Sequence, residues 1–231
     1  MKLGLLGYPI EHSLSPELYK NFLGSQLESY ELFSFKEDKD IPTLEYFSGK
    51  LDGLNITSPY KRHFLNEVII PSPQVQQLGA INTLAFSNNG TFATNTDMLA
   101  VVEILKNYCE KYGSLQIFLL GDGVMAALTK IIALDLNIPI RQFSRKNSPD
   151  FFNLDFRYYE DPNAQSLIIN ACSRDFVFNG MLTGKEIFWD FNYSFAPHES
   201  LLPDKLFSYQ DGREMLELQA KAAIKFWESY I

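Results

Sequence analysis

The chain of 231 residues is poor in cysteine and histidine, with Cys109, Cys172, His12, His63 and His198 making up the whole supply. The histidines are too scattered for a metal centre or a hydrolytic triad. The cysteines show neither zinc-site spacing nor a disulfide framework. No metal is expected, and the thiols read as packed side chains in a reducing compartment. No apolar run approaches the roughly 18 residues that would announce a membrane span. The apolar opening, residues 1–7, meets Gly7 and Pro9 too soon for a secretory signal, so a soluble cytoplasmic protein is expected. An excess of positive charge is also missing. Twenty Lys and Arg face 28 Asp and Glu, a formal net charge of −8, and the pairs Lys61-Arg62 and Arg145-Lys146 stand isolated. Such a chain repels phosphate backbones, which argues against a nucleic-acid partner. Repeats, low-complexity tracts and a Pro/Gly/Ser linker are absent too.

What is present suits a folded α/β protein. Hydrophobic residues make up 46% and charged residues 21%, ordinary globular usage, and the length accommodates two small cores. Residues 3–6 read as a short buried strand closed by Gly7-Tyr8-Pro9. Ser15 reads as the N-cap of a helix with Pro16 in its first turn, carrying Leu18, Tyr19, Phe22 and Leu23 and ending at Gly24. Strands are expected at 30–35 and at 54–57, the second stopped by Pro59. Asn89-Gly90 between the runs 81–86 and 91–95 signals a hairpin. Leu99, Val102 and Leu105 recur at helical spacing, and 115–120 is the continuous apolar run of a buried parallel strand. After a glycine turn come a helix at 126–136, strands at 138–143, 167–170 and 187–191, and a closing helix from 213 to about 230. The stretch after Lys146 shows no helix. Alternating strands and helices mean parallel α/β sheets. The break near residue 100 suggests two domains: 1–98 completed by 213–231, and 99–212, bridged by the helix at 99–109.

Gly121-Asp122-Gly123-Val124-Met125-Ala126 fits G-x-G-x-x-A between a predicted strand and a predicted helix, the context in which this fingerprint binds dinucleotides. The first glycine permits the tight turn, and the second lets the backbone approach a pyrophosphate. The helix N-terminus then offers free N–H groups and the positive end of its dipole. A plain strand–helix turn is the alternative. Asp122 fits poorly, because a carboxylate there repels pyrophosphate unless it points away. About 20 residues on, where NAD enzymes place an acid, the chain reads Phe143-Ser144-Arg145-Lys146. Two cations and a hydroxyl favour a 2′-phosphate, and so NADP over NAD. A solvated basic loop is the other reading.

These pieces fall into a known order. Gly7-Tyr8-Pro9-Ile10 with Ser13-Leu14-Ser15-Pro16 is followed by Asn55-Ile56-Thr57-Ser58-Pro59-Tyr60-Lys61. Next come Gly79-Ala80-Ile81-Asn82-Thr83, Asn95-Thr96-Asp97 and the glycine turn. Ser144-Arg145-Lys146, Asn170-Ala171, Asp190-Phe191-Asn192-Tyr193, and Gly212 with Met215 and Gln219 complete the series. From nearly end to end the chain resembles the shikimate dehydrogenase family. The resemblance implies an N-terminal substrate domain, a Rossmann-like doubly wound parallel-sheet NADP domain, and a C-terminal helix that returns to the first domain. It implies NADPH-dependent reversible reduction of 3-dehydroshikimate to shikimate, a step of aromatic amino acid biosynthesis, with the substrate in the cleft between the domains. By the same resemblance, Ser13 and Ser15 would hydrogen-bond the substrate carboxylate. Thr57, Asn82, Gln219 and Tyr193 would hold carboxylate or ring hydroxyls. Gly121, Gly123, Val124, Ala126, Ser144, Arg145, Lys146 and Gly212 would face the cofactor, and Lys61 and Asp97 would be the catalytic pair.

The residues themselves support that pair. Hydride reduction of a ketone leaves an alkoxide that needs a proton, which a lysine beside the carbonyl can donate and take back in reverse. A neighbouring aspartate favours and orients the ammonium, while burial opposes the charge. Each residue also has a plainer reading: Lys61 as a solvated lysine, Asp97 as the cap of the helix starting near Met98, Ser13 and Ser15 as loop and cap. Several positions depart from the family pattern. Met98 stands where glycine follows Asn95-Thr96-Asp97, Val124 where a third glycine is usual, Ser144 for asparagine and Lys146 for a hydroxyl residue. The chain is also shorter than typical. Most departures fall in the cofactor half. Two rivals therefore stay open: a quinate or related hydroxy-acid dehydrogenase, and a non-catalytic shikimate-binding protein with a degraded cofactor site. Monomer and homodimer are equally compatible with the sequence.

Overall fold

The structure is a computed structural model and describes residues 1–159 and 161–231. It divides into two compact units, Met1–Ala100 with Glu217–Ile231, and Val101–Leu216. In chain order the elements are β1 (Lys2–Gly7), α1 (Ser15–Leu23), β2 (Ser29–Ser34), α2 (Leu44–Ser48), β3 (Gly53–Ile56), α3 (Pro73–Leu78), β4 (Thr83–Ser87) and β5 (Gly90–Thr94). Then follow α4 (Thr96–Tyr112), β6 (Leu115–Leu120), α5 (Val124–Asp135), β7 (Ile140–Phe143), β8 (Gln165–Asn170), β9 (Ile187–Asp190), α6 (Ala196–Leu201), β10 (Ser208–Gln210) and α7 (Arg213–Tyr230). Both unit boundaries fall inside helices, α4 and α7. No helix among the described residues is long and apolar enough to cross a membrane.

The first unit holds a five-stranded sheet in the order β2-β1-β3-β4-β5. Strands β2, β1 and β3 run parallel, while β4 and β5 form an antiparallel hairpin around Asn88-Asn89. One face is packed by Leu3, Tyr19, Leu23, Ala85, Ala220, Ala223 and Trp227. Ala220, Ala223 and Trp227 recur at helical spacing, so one stripe of α7 is wholly buried on this sheet. Trp227 anchors it. Its Nε1–H donates to Leu84 O at 2.7 Å, and the ring occupies the space that a side chain at Gly53 would need.

The second unit is an all-parallel sheet in the order β10-β9-β8-β6-β7. Counted within the unit this is 2-1-3-4-5, a doubly wound order whose switch point lies between β6 and β8. A parallel crossover usually carries a helix. Between β7 and β8 the described residues instead form short 3-10 turns, Phe151–Asn153 and Phe156–Tyr159. Phe151, Leu154 and Phe156 join Phe118, Phe143, Phe176, Phe178 and Phe188 in one aromatic core. Each fully buried ring of this kind stabilises by about 1.5–3 kcal/mol, so large apolar side chains on irregular backbone cover the sheet face.

Two local readings of the sequence are corrected. Ser15 is not a cap: Leu14 holds the N-cap position of α1 without a side-chain hydrogen bond, and Ser15 is the first helical residue. Ser13 Oγ accepts the Ser15 N–H at 3.2 Å instead, a serine two residues upstream reaching forward to the backbone. Asp97 is likewise not the cap of α4, which begins earlier, at Thr96. Asn95 Oδ1 accepts the Met98 N–H at 3.1 Å, so the Asp97 carboxylate is left for another partner.

Candidate active site

That partner is Lys61. Lys61 Nζ lies 2.7 Å from Asp97 Oδ2, with side chains 12% and 10% exposed. Each member is fixed by backbone it does not control. The turn leaving β3 is closed by Tyr60 N–H to Thr57 O at 2.9 Å, and Lys61 O accepts from Ile81 N–H at 2.8 Å. The Tyr60 hydroxyl donates to Phe35 O at 2.6 Å, so the segment is held on both sides of Lys61. Asp97 rides the first turn of α4, where the helix dipole favours an anion. Fully buried Asn95 secures that turn by donating from Nδ2 to Ala80 O at 3.0 Å.

Beside the pair lies a buried polar chain. Asn82, 4% exposed, sits just before β4. Its Oδ1 accepts the Thr96 N–H at 2.7 Å and lies 3.1 Å from Thr96 Oγ1. A backbone N–H can be met only by the amide oxygen, which fixes the rotamer and turns Nδ2 the other way. Thr83 Oγ1 donates to Asn82 Oδ1 at 3.0 Å and accepts from Asn55 Nδ2 at 3.2 Å. Tyr30 OH donates to Asn55 Oδ1 at 3.1 Å. At the other end, Thr96 Oγ1 lies 3.2 Å from Gln219 Oε1 on α7. The Ser15 hydroxyl stands beside the Tyr30 phenol, and Tyr19 and Tyr30 stack at 5.0 Å. Burial pushes both phenols well above their ordinary titration range.

Within the first unit the structure therefore brings Asn82 and Gln219 onto one polar chain that meets at Thr96, the residue before Asp97, with Ser15 beside its Tyr30 end. Ser13 adjoins through Ser15, and Thr57 holds the turn that leads to Lys61. Tyr193 belongs to the second unit, in the loop after β9, where its carbonyl accepts from Arg174 Nη1 at 3.0 Å. Tyr30, Asn55, Thr83 and Thr96 are the members to which sequence reading gave no role. Asn55 had a signal: a polar side chain in an otherwise apolar strand must find a buried partner. Tyr30 had none.

In the second unit the glycine turn joins β6 to α5. Gly121 has φ +112, and a side chain there would stand 3.1 Å from the Ala171 backbone, so only glycine fits. At Gly123 an added Cβ would meet no atom within 4 Å, which leaves open approach to the backbone. Gly123 is the N-cap of α5, with no side-chain cap and no acid in the first turn. Val124 opens the helix, half-buried, and Ala126 is wholly buried in it. A helix start without a side-chain cap, beside open space, fits a pyrophosphate. Ser144 is buried in the turn after β7, its N–H donating to Asn147 Oδ1 at 2.7 Å. Arg145 is exposed and has no hydrogen-bond or ion-pair partner among the described residues, while Lys146 Nζ lies 2.8 Å from Asp122 Oδ2. Cys172, on the loop against Gly121, has its thiol pushed up to about 12 by burial, so it is no nucleophile. Gly212 is buried, and a Cβ there would stand 2.4 Å from Phe191 O, which gives it a packing reason of its own.

Comparison with known proteins converges on one family. A family model for the shikimate dehydrogenase substrate binding domain matches residues 5–84. A shikimate dehydrogenase (NADP(+)) of Clostridium perfringens (strain ATCC 13124) is 30% identical over 186 residues, 74% of this chain and 68% of that protein. One of Ignicoccus hospitalis is 33% identical over 149 residues, covering 63% of this chain and only 55% of its own length. Among solved structures, shikimate 5-dehydrogenase of Thermus thermophilus in complex with NADP(H) and shikimate superposes with a TM-score of 0.72 at 21% identity. The match covers 99% of this chain and 94% of that one. The Aquifex aeolicus enzyme gives 0.71 at 22% identity, covering 99% and 93%. At such identity these structures speak to the fold.

Proposed function

Because the chain belongs to the shikimate dehydrogenase family, we propose that it catalyses the reversible, NADP-linked reduction of 3-dehydroshikimate to shikimate. The observation that carries the reading is the 2.7 Å Lys61–Asp97 pair, almost withdrawn from water. A protein that only bound the ligand has no need of a matched ammonium and carboxylate there. In reduction the Lys61 ammonium donates a proton to the oxygen that becomes the alcohol, and in oxidation the amine takes it back. Asp97 orients the ammonium and stabilises its charge. The bound nicotinamide supplies the hydride acceptor or donor, a chemistry the side chains lack.

The remaining roles are binding. Ser13 and Ser15 at the start of α1 hold the substrate carboxylate. Thr57, Asn82 through Nδ2, Gln219 and Tyr193 hold carboxylate or ring hydroxyls. Gly121, Gly123, Val124 and Ala126 cradle the pyrophosphate at the N-terminus of α5, Arg145 takes the 2′-phosphate, and Ser144 and Gly212 shape its surroundings. On this reading, residues 1–98 with 213–231 form the substrate domain and 99–212 the NADP domain.

The decisive experiment follows NADPH formation from shikimate and NADP for the wild type and Lys61→Ala, with quinate and NAD as controls. Turnover with shikimate that falls by about 10²–10⁴-fold in the variant, at retained shikimate affinity, supports the reaction and the role of Lys61. Folded wild type that binds shikimate yet turns over with no substrate–cofactor combination refutes the enzyme reading in favour of a binding protein.

A further inference from the structure

Asp122 belongs neither in a plain phosphate turn nor in a purely cationic 2′-phosphate site. The tips of β6 and β7 are tied: Gly121 N–H donates to Phe143 O at 2.8 Å, and Gln142 Nε2 donates to Gly121 O at 2.8 Å. Side chains leaving the two tips therefore meet, and Asp122 Oδ2 lies 2.8 Å from Lys146 Nζ. The Lys146 ammonium, with Arg145 nearby, holds the Asp122 carboxyl below its ordinary range. In a doubly wound nucleotide-binding unit, this strand tip meets the adenosine ribose, with a carboxylate toward a free 2′-hydroxyl or a cation toward a 2′-phosphate. Here both kinds of group are present. The carboxylate comes from the glycine turn rather than from the second strand, and two cations with one carboxylate leave a net single positive charge.

We propose that Asp122 is a specificity-determining positioning residue which, through Lys146, sets how strongly the site prefers a 2′-phosphorylated dinucleotide over one with a free 2′-hydroxyl. This rests on reading the glycine turn as a dinucleotide site. The Lys146 side chain is 83% exposed and that of Asp122 41%, so the ion pair is an exchangeable one. An arriving 2′-phosphate draws Lys146 on its flexible stem away from Asp122. It gains one charge contact only as the other is lost, so while Asp122 is present Lys146 serves chiefly to neutralise that carboxylate rather than to add a phosphate contact. Arg145 then carries the phosphate contact. Without the Asp122 carboxylate, the gain from Lys146 is realised in full.

The test is calorimetric titration of the whole chain with 2′-phospho-ADP-ribose and with ADP-ribose, for wild type, Asp122→Asn, Lys146→Met, the double variant and Arg145→Ala. All three altered positions are exposed, so folding is not at issue. Asp122→Asn is expected to raise the affinity ratio of the two compounds by roughly tenfold, the size of one charge contact near the surface. Lys146→Met alone should lower the ratio, because it leaves the Asp122 carboxylate without its cation beside the phosphate, and the double variant should lose the gain of Asp122→Asn. Equal tightening of both compounds by Asp122→Asn, or a gain that survives in the double variant, overturns the proposal while leaving the dinucleotide site intact. Failure of wild type and every variant to bind either compound removes the dinucleotide reading and the proposal together. A ratio insensitive to Arg145→Ala removes the assignment of the 2′-phosphate to this strand tip, and the proposal with it.

Discussion

Gly53→Ala tests how the C-terminal helix is held on the substrate half. The added methyl carbon would stand 2.3 Å from Trp227 Nε1 and 2.7 Å from Cδ1 and Cε2, so the ring must move or the strand must. The ring has little freedom. It is wholly buried, its centroid lies 5.3 Å from that of Tyr19, and Nε1 donates to Leu84 O at 2.7 Å. Overpacking of this kind costs about 1–3 kcal/mol, and a ring pushed off Leu84 leaves buried polar atoms unpaired at about 1–3 kcal/mol more. A total of about 2–6 kcal/mol is a large share of an ordinary stability of about 5–15 kcal/mol. The effect should also reach the site, because Gln219 sits on the same face of α7 two turns earlier and meets Thr96. Urea unfolding followed by tryptophan fluorescence should show a lower midpoint. Steady-state kinetics should show KM for shikimate rising more than kcat falls, with affinity for 2′-phospho-ADP-ribose unchanged. An unaltered midpoint together with an unaltered KM would refute the claim that Trp227 fixes α7 through Gly53.

Gly123→Ala should behave in the opposite way. Its backbone is extended and the added carbon meets nothing, so the unfolding midpoint should hold or rise slightly. Dinucleotide affinity should fall by about tenfold or more as the methyl group blocks the pyrophosphate; unchanged calorimetric affinity sinks the role given to this turn. Asp97→Asn keeps shape but removes charge beside a nearly buried ammonium, so turnover should drop by about 10²-fold or more. A kcat/KM within about threefold of wild type would show that Lys61 works without its partner. Tyr19→Phe removes a wholly buried hydroxyl that has no hydrogen-bond partner among the described residues. Stability should hold or rise by up to about 1–3 kcal/mol, and a marked loss in urea unfolding would reveal a partner, with the nearby Asn55 amide the first to examine.

The sequence carried those parts of the fold that local chemistry writes. The apolar runs at 3–6 and 115–120, Asn89-Gly90 and the glycine turn each announce their element within a few residues, and each lies where expected. Short elements such as α2, α3, α6 and β10 escaped, because three to six residues span too little of any period to be distinguished from a loop. The two misplaced caps share one cause. Ser15 and Asp97 are good capping residues at helix starts, yet Ser13 and Asn95, two residues upstream in each case, make the backbone hydrogen bonds. Which of two polar neighbours turns inward is decided by packing that a one-dimensional reading does not contain. In the site, Lys61 and Asp97 are 36 residues apart, and only the family pattern joined them. The Asp122–Lys146 ion pair was hidden for the same reason: the two residues were weighed separately, one as a defect and the other as a phosphate ligand.

Asn82 shows how one side chain of the first unit can carry both structure and site. Its amide oxygen is committed to the Thr96 backbone and to two hydroxyls, so it holds the start of α4, and with it Asp97, against β4. On the proposed reading, its amide nitrogen is the part offered to substrate. A change at Asn82 that spared binding would still release the helix start, and one that spared the helix would still alter the donor. The same double duty falls on Gln219, which meets Thr96 from a helix that Trp227 pins. The cofactor turn is built differently. There the backbone of Gly121, Gly123 and α5 does the holding, and the side chains at Asp122, Arg145 and Lys146 are exposed. Substitutions at those tips leave the fold untouched and change only the charge that a dinucleotide meets.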